Sequence, residues 1–355
     1  LVERSIRALE AASRNEPERA DHLTRLANLQ MEMGDKPGAL QTLRRLGGLE
    51  GDFSGVSVDD LRHCAQSARQ LGDSSLAIDL LNRALLLHSK ADHAAEDAQS
   101  TNAVVEVLCD LATTYQGVGE DEKALQMIEQ ALALNEANPP LLAQKAELHH
   151  RLGDLQSALD SIRTAVELSP RDPELRRHAA ILLRHRGDLP AALEQVESAL
   201  ETLELPAKEE QGSESLTLLR AELNQMAAHL AYATLRPRRA QKYLEAGLSP
   251  DDPAYHEFAN AALRAEISLD LGDLAAAEAA ALTLARQSPG HPRTEAILSR
   301  LAGRRLDPED RDRRCRSAVR SLLQQQLIQP PISPPSARED YIASFLSVAQ
   351  AAIES

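Results

Sequence analysis

A fixed spacing of 34 residues constrains this sequence more than any other feature. A glycine followed by an acidic residue recurs at that interval, at Gly119, Gly153 and Gly187. Five residues after each glycine stands an alanine, and a second alanine follows seven residues later. An isoleucine or valine lies between the two alanines. Such a recurrence is typical of a repeat architecture, in which each unit packs against its neighbours.

The pattern inside one period predicts two antiparallel helices joined by a short turn. In the block from Pro139 to Asp172, apolar residues recur with helical spacing on both sides of Gly153. Glycine accepts the left-handed backbone that a helix end often needs, and Asp154 can cap the second helix. Ala158 and Ala165 are small, so the two helices can approach closely. One helix pair cannot bury its apolar face alone, and stacked neighbours must cover it.

These residues resemble the tetratricopeptide repeat, a helix–turn–helix unit, and the resemblance extends over most of the chain. It implies an all-α fold, a right-handed α-solenoid of about seven helix pairs with a C-terminal helical cap. Aromatic residues make up only 2 % of the chain, which departs from the family's habit of placing Trp or Tyr in the first helix. The core is therefore expected to be built from Leu, Ala and other smaller side chains.

Breaks in the period predict the domain organisation. Residues 1–291 are expected to form the solenoid, with an irregular join at 47–57, an insert at 90–102 and a degenerate repeat at 216–250. Residues 292–355 are expected to form the C-terminal helical cap, which includes a Pro-rich strap at 328–336. Proline at this density cannot be helical, so the strap should be extended.

The charge balance favours a protein partner over a nucleic acid or a membrane. The formal net charge is −15, from 39 Lys and Arg against 54 Asp and Glu, which disfavours binding to polyanions. No apolar run is long enough to span a membrane, and three scattered cysteines indicate reduced thiols in a cytoplasmic protein. The sequence starts at Leu1 and enters a helical pattern at once, so we expect a segment of a longer protein.

The sequence contains no motif that would identify an enzyme or a cofactor site. A GxxxxGK[ST] phosphate loop, HExxH, GxSxG and paired CxxC motifs are all lacking. Histidines recur in two successive first helices, but nothing in their spacing demands a metal. We therefore expect no catalysis, no cofactor and no metal, in a chain that is a monomer or a weak homodimer.

The resemblance also implies where a partner would bind. In this family the fifth, ninth and twelfth positions of each first helix face the concave surface, and we refer to them as the inner positions. The partner-binding residues predicted at or beside inner positions are Arg62, Arg69, Glu147, His150, Arg177, Ile181, Arg184 and His185. Four arginines in this set, in a strongly acidic chain, favour an acidic partner segment.

The expected function is a scaffold or adaptor that binds a segment of another protein in a concave groove. The alternative is a regulatory or sensor repeat region of a larger multidomain enzyme, such as a caspase-like peptidase, a kinase or a glycosyltransferase. The full-length sequence would separate these two hypotheses. An RNA-binding helical repeat is a third interpretation, which the negative charge disfavours.

Overall fold

The computed structural model describes residues 2–16, 19–49, 53, 55–90, 98–204, 214–249, 253–305 and 307–328. Within these ranges the chain is helical apart from turns and short connections, and no strand is present. Two compact units divide the chain, Leu1–Pro170 and Arg171–Ser355. The all-α fold class predicted from the repeat is confirmed.

The first unit is built from stacked helix pairs. Its helices are α1 (Val2–Asn15), α2 (Ala20–Glu32), α3 (Lys36–Gly47), α4 (Val58–Gln70), α5 (Ser74–Lys90), α6 (Ala98–Gly117), α7 (Asp121–Leu134), α8 (Pro139–Arg151) and α9 (Leu155–Leu168). After α1, each helix packs most extensively on its partner in the pair, as α2 does on α3 and α4 on α5. First helices of neighbouring pairs also touch, α2 with α4 and α4 with α6.

The second unit repeats this arrangement. Its helices are α10 (Pro173–Arg186), α11 (Leu189–Glu204), α12 (Glu214–Ala233), α13 (Pro237–Gly247), α14 (Phe258–Leu271), α15 (Leu274–Gln287), α16 (Pro292–Arg304) and α17 (Pro308–Ile328). Here the pairs are α10 with α11, α12 with α13, α14 with α15 and α16 with α17. The first helix α14 contacts the first helices α12 and α16 on either side.

Left-handed glycines join the two helices of a pair. At six of the turns between paired helices, the glycine that precedes an acidic residue has a φ angle between 77° and 86°; these are Gly34, Gly72, Gly119, Gly153, Gly187 and Gly272. In five of these turns the following aspartate accepts a hydrogen bond from a backbone N–H three residues on, namely Asp35, Asp73, Asp154, Asp188 and Asp273. The predicted roles of glycine at the turn and of aspartate as the helix cap are confirmed.

Alanines fill the contact between the helices of each pair. In the regular block every predicted alanine is fully buried, at 0 % exposure: Ala124, Ala131, Ala158, Ala165, Ala192 and Ala199. Ile128, Ile162 and Val196, which lie between them, are also buried. Leucines such as Leu23, Leu43 and Leu193 supply most of the remaining core volume. The chain thus packs without large aromatic side chains, as its composition predicts.

One predicted helix is broken in the structure. The sequence pattern predicts a single helix from Pro253 to Leu271, but a short 3₁₀ turn at Pro253–His256 precedes α14, which begins at Phe258. The side-chain amide of Asn260 donates to the carbonyl of Ala254 at 2.9 Å, and Arg264 stacks 3.4 Å above the ring of Tyr255. These contacts fold the 3₁₀ turn back onto α14 and prevent a continuous helix.

The degenerate repeat predicted at 216–250 forms the α12–α13 pair. Its turn has Leu235 in place of glycine, with φ 58°, and among the described residues this is the one positive φ outside glycine. The insert at 90–102 ends in α6, which is 20 residues long, whereas residues 91–97 lie outside the described residues.

Parts of the other predicted breaks also lie outside the described residues. They include residues 50–52 and 54 of the irregular join, almost all of the Pro-rich strap, and the part of the predicted cap after it, where the sequence predicts a helix over 337–353, since the described residues end at 328. The domain boundary after residue 291 stays a prediction.

Candidate functional site

In the first unit, carboxylates hold the predicted contact residue Arg62 between α4 and α6. The Arg62 Nε atom lies 3.0 Å from Oδ2 of Asp110, and its guanidinium also contacts Glu106 and, at 3.5 Å, Asp59. The Gln66 amide donates to the same Asp110 oxygen at 3.4 Å. Three acidic residues therefore surround one arginine, and the network joins two neighbouring first helices while leaving an excess of negative charge.

The two cysteines beside this network are poor nucleophiles. Burial raises the pKa of Cys64 to about 12, and nearby Asp60 adds to the effect. Burial also raises the pKa of Cys109 to about 11, with a further contribution from Asp110. Both thiols stay protonated at neutral pH, whereas a reactive cysteine needs the thiolate. Together with Cys315 they are free thiols.

The remaining predicted contact residues of the first unit do not form one cluster. Arg69 is half-buried in the last turn of α4, Glu147 is exposed on α8, and His150 is half-buried near the end of α8. Their neighbour Arg151 reaches back to Asp121 of α7, at 2.9 Å. The positive charge of Arg151 at the end of α8 is thus balanced by a carboxylate of the neighbouring helix α7.

In the second unit, all four predicted contact residues lie on α10. This helix carries four arginines and two histidines against a single glutamate. Arg177 is half-buried and donates from Nε to Glu174 at 2.7 Å. Ile181 and Arg184 are half-buried, and His185 is exposed. Arg177, Ile181 and Arg184 follow one another at intervals of four and three residues, which places them on one face of the helix.

The other arginines of α10 contact groups within the unit. Arg176 donates to the side-chain amide oxygen of Gln195 in α11 at 3.0 Å. Arg186 pairs with Asp188 of the following turn at 2.9 Å. Arg177, Ile181 and Arg184, with His185 beside them, make up the rest of the predicted contact set on this helix. We call these four residues the α10 face.

A buried ionic network lies between α14 and α16, and sequence reasoning missed it. Arg293 forms a two-point pair with Glu266, at 3.0 and 2.9 Å, and the two side chains are only 7 % and 6 % exposed. Arg300 pairs with Asp270 at 2.5 Å. Both pairs connect neighbouring first helices. Because desolvated charges are costly without a partner, these pairs fix how α14 and α16 align.

Two groups on α12 titrate under the influence of this network. Burial lowers the pKa of His229 to about 4, and the positive charge of Arg293 acts in the same direction, against a hydrogen bond to Asn260. His229 is therefore neutral at pH 7. Burial raises the pKa of Tyr232 above its ordinary value. Arg184 also acts electrostatically on His229, which places one residue of the α10 face at the edge of this network.

The inner-position rule could have found part of this network. The inner position of Glu147 lies six residues before the turn residue Gly153, and the same distance before the turns at Leu235 and Gly272 stand His229 and Glu266. The turn at Leu235 lacks the glycine that marks the register elsewhere, so α12 gave no clear starting point.

Among the described residues, no three His, Cys, Asp or Glu side chains converge as metal ligands. None of the helices in those ranges combines the length and the apolar character needed to cross a bilayer.

The family model described as tetratricopeptide repeat matches residues 2–49, 109–173 and 143–204. The matched ranges contain four of the six left-handed glycine turns, at Gly34, Gly119, Gly153 and Gly187, and the six buried alanines of the regular block. Residues 2–49 and 109–204 thus carry tetratricopeptide repeats. Such repeats generally mediate contacts between proteins, and their fold is typically a non-catalytic scaffold. No curated relative matches the sequence.

Solved tetratricopeptide structures share this fold at low sequence identity. The C-terminal part of a repeat protein from Cytophaga hutchinsonii aligns with a TM-score of 0.52 at 13 % identity, over 71 % of this chain and 92 % of that one. PilF from Pseudomonas aeruginosa aligns with a TM-score of 0.50 at 16 % identity, over 68 % of this chain and 96 % of that one. At these identities the likeness concerns the fold alone.

Proposed function

We propose that this tetratricopeptide chain is an adaptor that binds an acidic segment of a partner protein across the α10 face. The observation that carries the proposal is the concentration of arginine on α10, four arginines against one glutamate, in a chain of net charge −15. Arginine suits carboxylates because its planar fork can bond both oxygens. The binding of protein or peptide partners by tetratricopeptide repeats in general supports the proposal.

The electrostatics of the two units favour α10 over the predicted contacts of the first unit. Arg62 is already surrounded by the carboxylates of Asp59, Glu106 and Asp110, so an acidic segment would be repelled there. On α10, Arg177 has one carboxylate partner, Glu174, in the same helix, and that residue is half-exposed. An incoming carboxylate can share or replace such a partner at little cost.

Affinity would come from several modest contacts. An exposed ion pair contributes about 0.2–1 kcal/mol, so Arg177, Arg184 and His185 together would supply specificity and a faster association rate. Ile181 lies among them and offers an apolar contact for a side chain of the partner. Binding should weaken as salt rises, because the charges on the α10 face are partly exposed to solvent.

The test reverses charge on the α10 face without disturbing the buried network. Arg177→Glu combined with His185→Glu meets this condition, whereas Arg184 acts on the buried His229 and is left unchanged. The probe is a fluorescent peptide in which glutamate alternates with leucine, and binding is measured by fluorescence polarisation. We expect the double variant to bind about tenfold more weakly than the wild type.

Arg163→Glu is the matched control, since Arg163 lies on the second helix α9 and its side chain is 63 % exposed. The control should bind the peptide within about twofold of the wild type. Equal affinities for the wild type and the double variant, with the helical circular dichroism of both intact, would contradict the proposal. An equal loss in the Arg163→Glu control would contradict it too, because the effect would then reflect net charge alone.

A further inference from the structure

The turn between α12 and α13 has no glycine. Six turns within other helix pairs have a left-handed glycine followed by an acidic residue, whereas this turn has Leu235 followed by Arg236. Leu235 adopts φ 58°, a conformation that a leucine side chain disfavours, and its side chain is 89 % exposed. Neither burial nor backbone preference explains a leucine here.

Three arginines follow this leucine within four residues of the chain. Arg236, Arg238 and Arg239 line an open cleft of about 490 Å³, whose other walls include Asp270 and Leu271 of α14. Asp270 is already paired with Arg300, so it does not neutralise the cluster.

Two of the three arginines keep their charge available. Arg239 contacts Glu197 at 3.2 Å, and Tyr243 donates to the same carboxylate oxygen at 2.7 Å. Arg236 and Arg238 are exposed, and neither forms an ion pair within the described ranges. They also lie at the N-terminal end of α13, where the helix dipole disfavours positive charge and favours an anion.

We infer that Leu235, Arg236 and Arg238, which we call the Leu235 turn, form a second binding surface for a protein segment that carries carboxylates beside an apolar side chain. The arginines provide forks for carboxylates, and the exposed leucine provides an apolar anchor next to them. This surface lies at the turn of a helix pair rather than on the α10 face. The inference therefore stands independently of the proposed function.

The test converts the Leu235 turn into the turn found elsewhere in the chain. Leu235→Gly with Arg236→Asp recreates the glycine–aspartate sequence of the other pairs, so the variant should fold at least as well as the wild type. The probe is the glutamate–leucine peptide with a photoreactive benzophenone at one leucine position, and mass spectrometry maps the cross-links. We expect cross-links to residues 234–239 to fall about tenfold in the variant.

Cross-links to α10 report on the proposed function separately and should not change in this variant. Arg238→Glu is a second variant that leaves the backbone of the turn intact, and it should lower the turn cross-links by a similar factor. Arg286→Glu, an exposed position on α15, is the control that should leave them unchanged.

Turn cross-links that persist in both variants would overturn the inference. Competition by inorganic phosphate as effective as competition by unlabelled peptide would also overturn it, since the cluster would then be a simple anion site. An equal loss of turn cross-links in Arg286→Glu would show a general charge effect and would overturn the inference as well.

Discussion

The left-handed glycine at the turn of a helix pair can be tested most cleanly at Gly153. Its φ is 85°, and a Cβ atom built at this position would meet no atom within 4 Å. Because the space is open, a substitution there acts only through the backbone conformation. Gly153→Val should therefore lower the free energy of unfolding by about 1–3 kcal/mol, the strain of a β-branched residue in the left-handed region.

The hydrogen bonds of the turn explain why the backbone would keep its conformation under this strain. The Gly153 N–H donates to the carbonyl of His150 at 3.0 Å, and the Asp154 N–H donates to that of His149 at 2.8 Å. The Asp154 side chain also caps α9 through the N–H of Ser157, at 3.1 Å. Losing these bonds would cost about 1 kcal/mol each, so accepting the strain is the cheaper response.

Urea unfolding followed by far-ultraviolet circular dichroism measures the effect. The slope of the unfolding free energy against urea concentration should be the same for the variant and the wild type, which shows that both unfold in the same transition. Gly153→Asn should lose less than Gly153→Val, because asparagine tolerates the left-handed region. Gly117→Ala is the matched control: Gly117 ends α6 without a positive φ and also has open space at its Cβ. That variant should be neutral or about 0.5–1 kcal/mol more stable. Equal unfolding free energies for Gly153→Val and the wild type would refute the reasoning, as would a loss in Gly117→Ala as large as that in Gly153→Val.

Three further expectations concern packing, the buried ion pairs and pH. Ala158→Leu should lower the free energy of unfolding by about 1–3 kcal/mol through overpacking, while Ala11→Leu on the exposed side of α1 should be nearly silent in the same urea titration. Glu266→Gln should lower the free energy of unfolding by about 3–5 kcal/mol, measured by thermal unfolding, because it removes the bidentate partner of buried Arg293. The double variant Glu266→Leu with Arg293→Met should recover most of that loss. A double variant as unstable as Glu266→Gln would contradict the pairing. The pKa of His229 in the folded state, about 4, lies below its ordinary value of 6.5. The stability that comes from keeping His229 neutral is therefore fully present above pH 6.5 and is lost as the pH falls towards 4. The loss amounts to about 3 kcal/mol, and a His229→Gln variant should not show it when unfolding is compared across that pH range.

The parts of the fold that rest on local rules could be predicted from the sequence. Glycine in a left-handed turn, aspartate three residues before the N–H that it caps, and alanine between close helices are each dictated by one or two residues. Gly153, Asp154 and Ala158 show all three rules inside six consecutive positions, and the structure confirms each of them. A recurring period then transfers the same assignment to the neighbouring pairs.

The parts that depend on contacts between distant residues could not be predicted in the same way. Glu266 and Arg293 are 27 residues apart, and each alone is typical of a solvated helix face. Only the packing of α14 against α16 reveals that both are buried. The break before Phe258 likewise depends on the side-chain bond from Asn260 to Ala254, which the helical spacing of apolar residues does not show. The turn at Leu235 follows from the sequence, but its left-handed φ does not, because leucine rarely adopts that conformation.

The central claim, that the α10 face binds an acidic segment, is tested most directly by placing a photoreactive phenylalanine analogue at Ile181. The comparison position is Leu168 on the second helix α9, where the side chain is 45 % exposed. With the glutamate–leucine peptide as the probe, we expect cross-linking from position 181, little from position 168, and loss of the former when Arg177→Glu and His185→Glu are added. Equal cross-linking from both positions, or cross-linking from position 181 that survives the two charge reversals, would contradict the account.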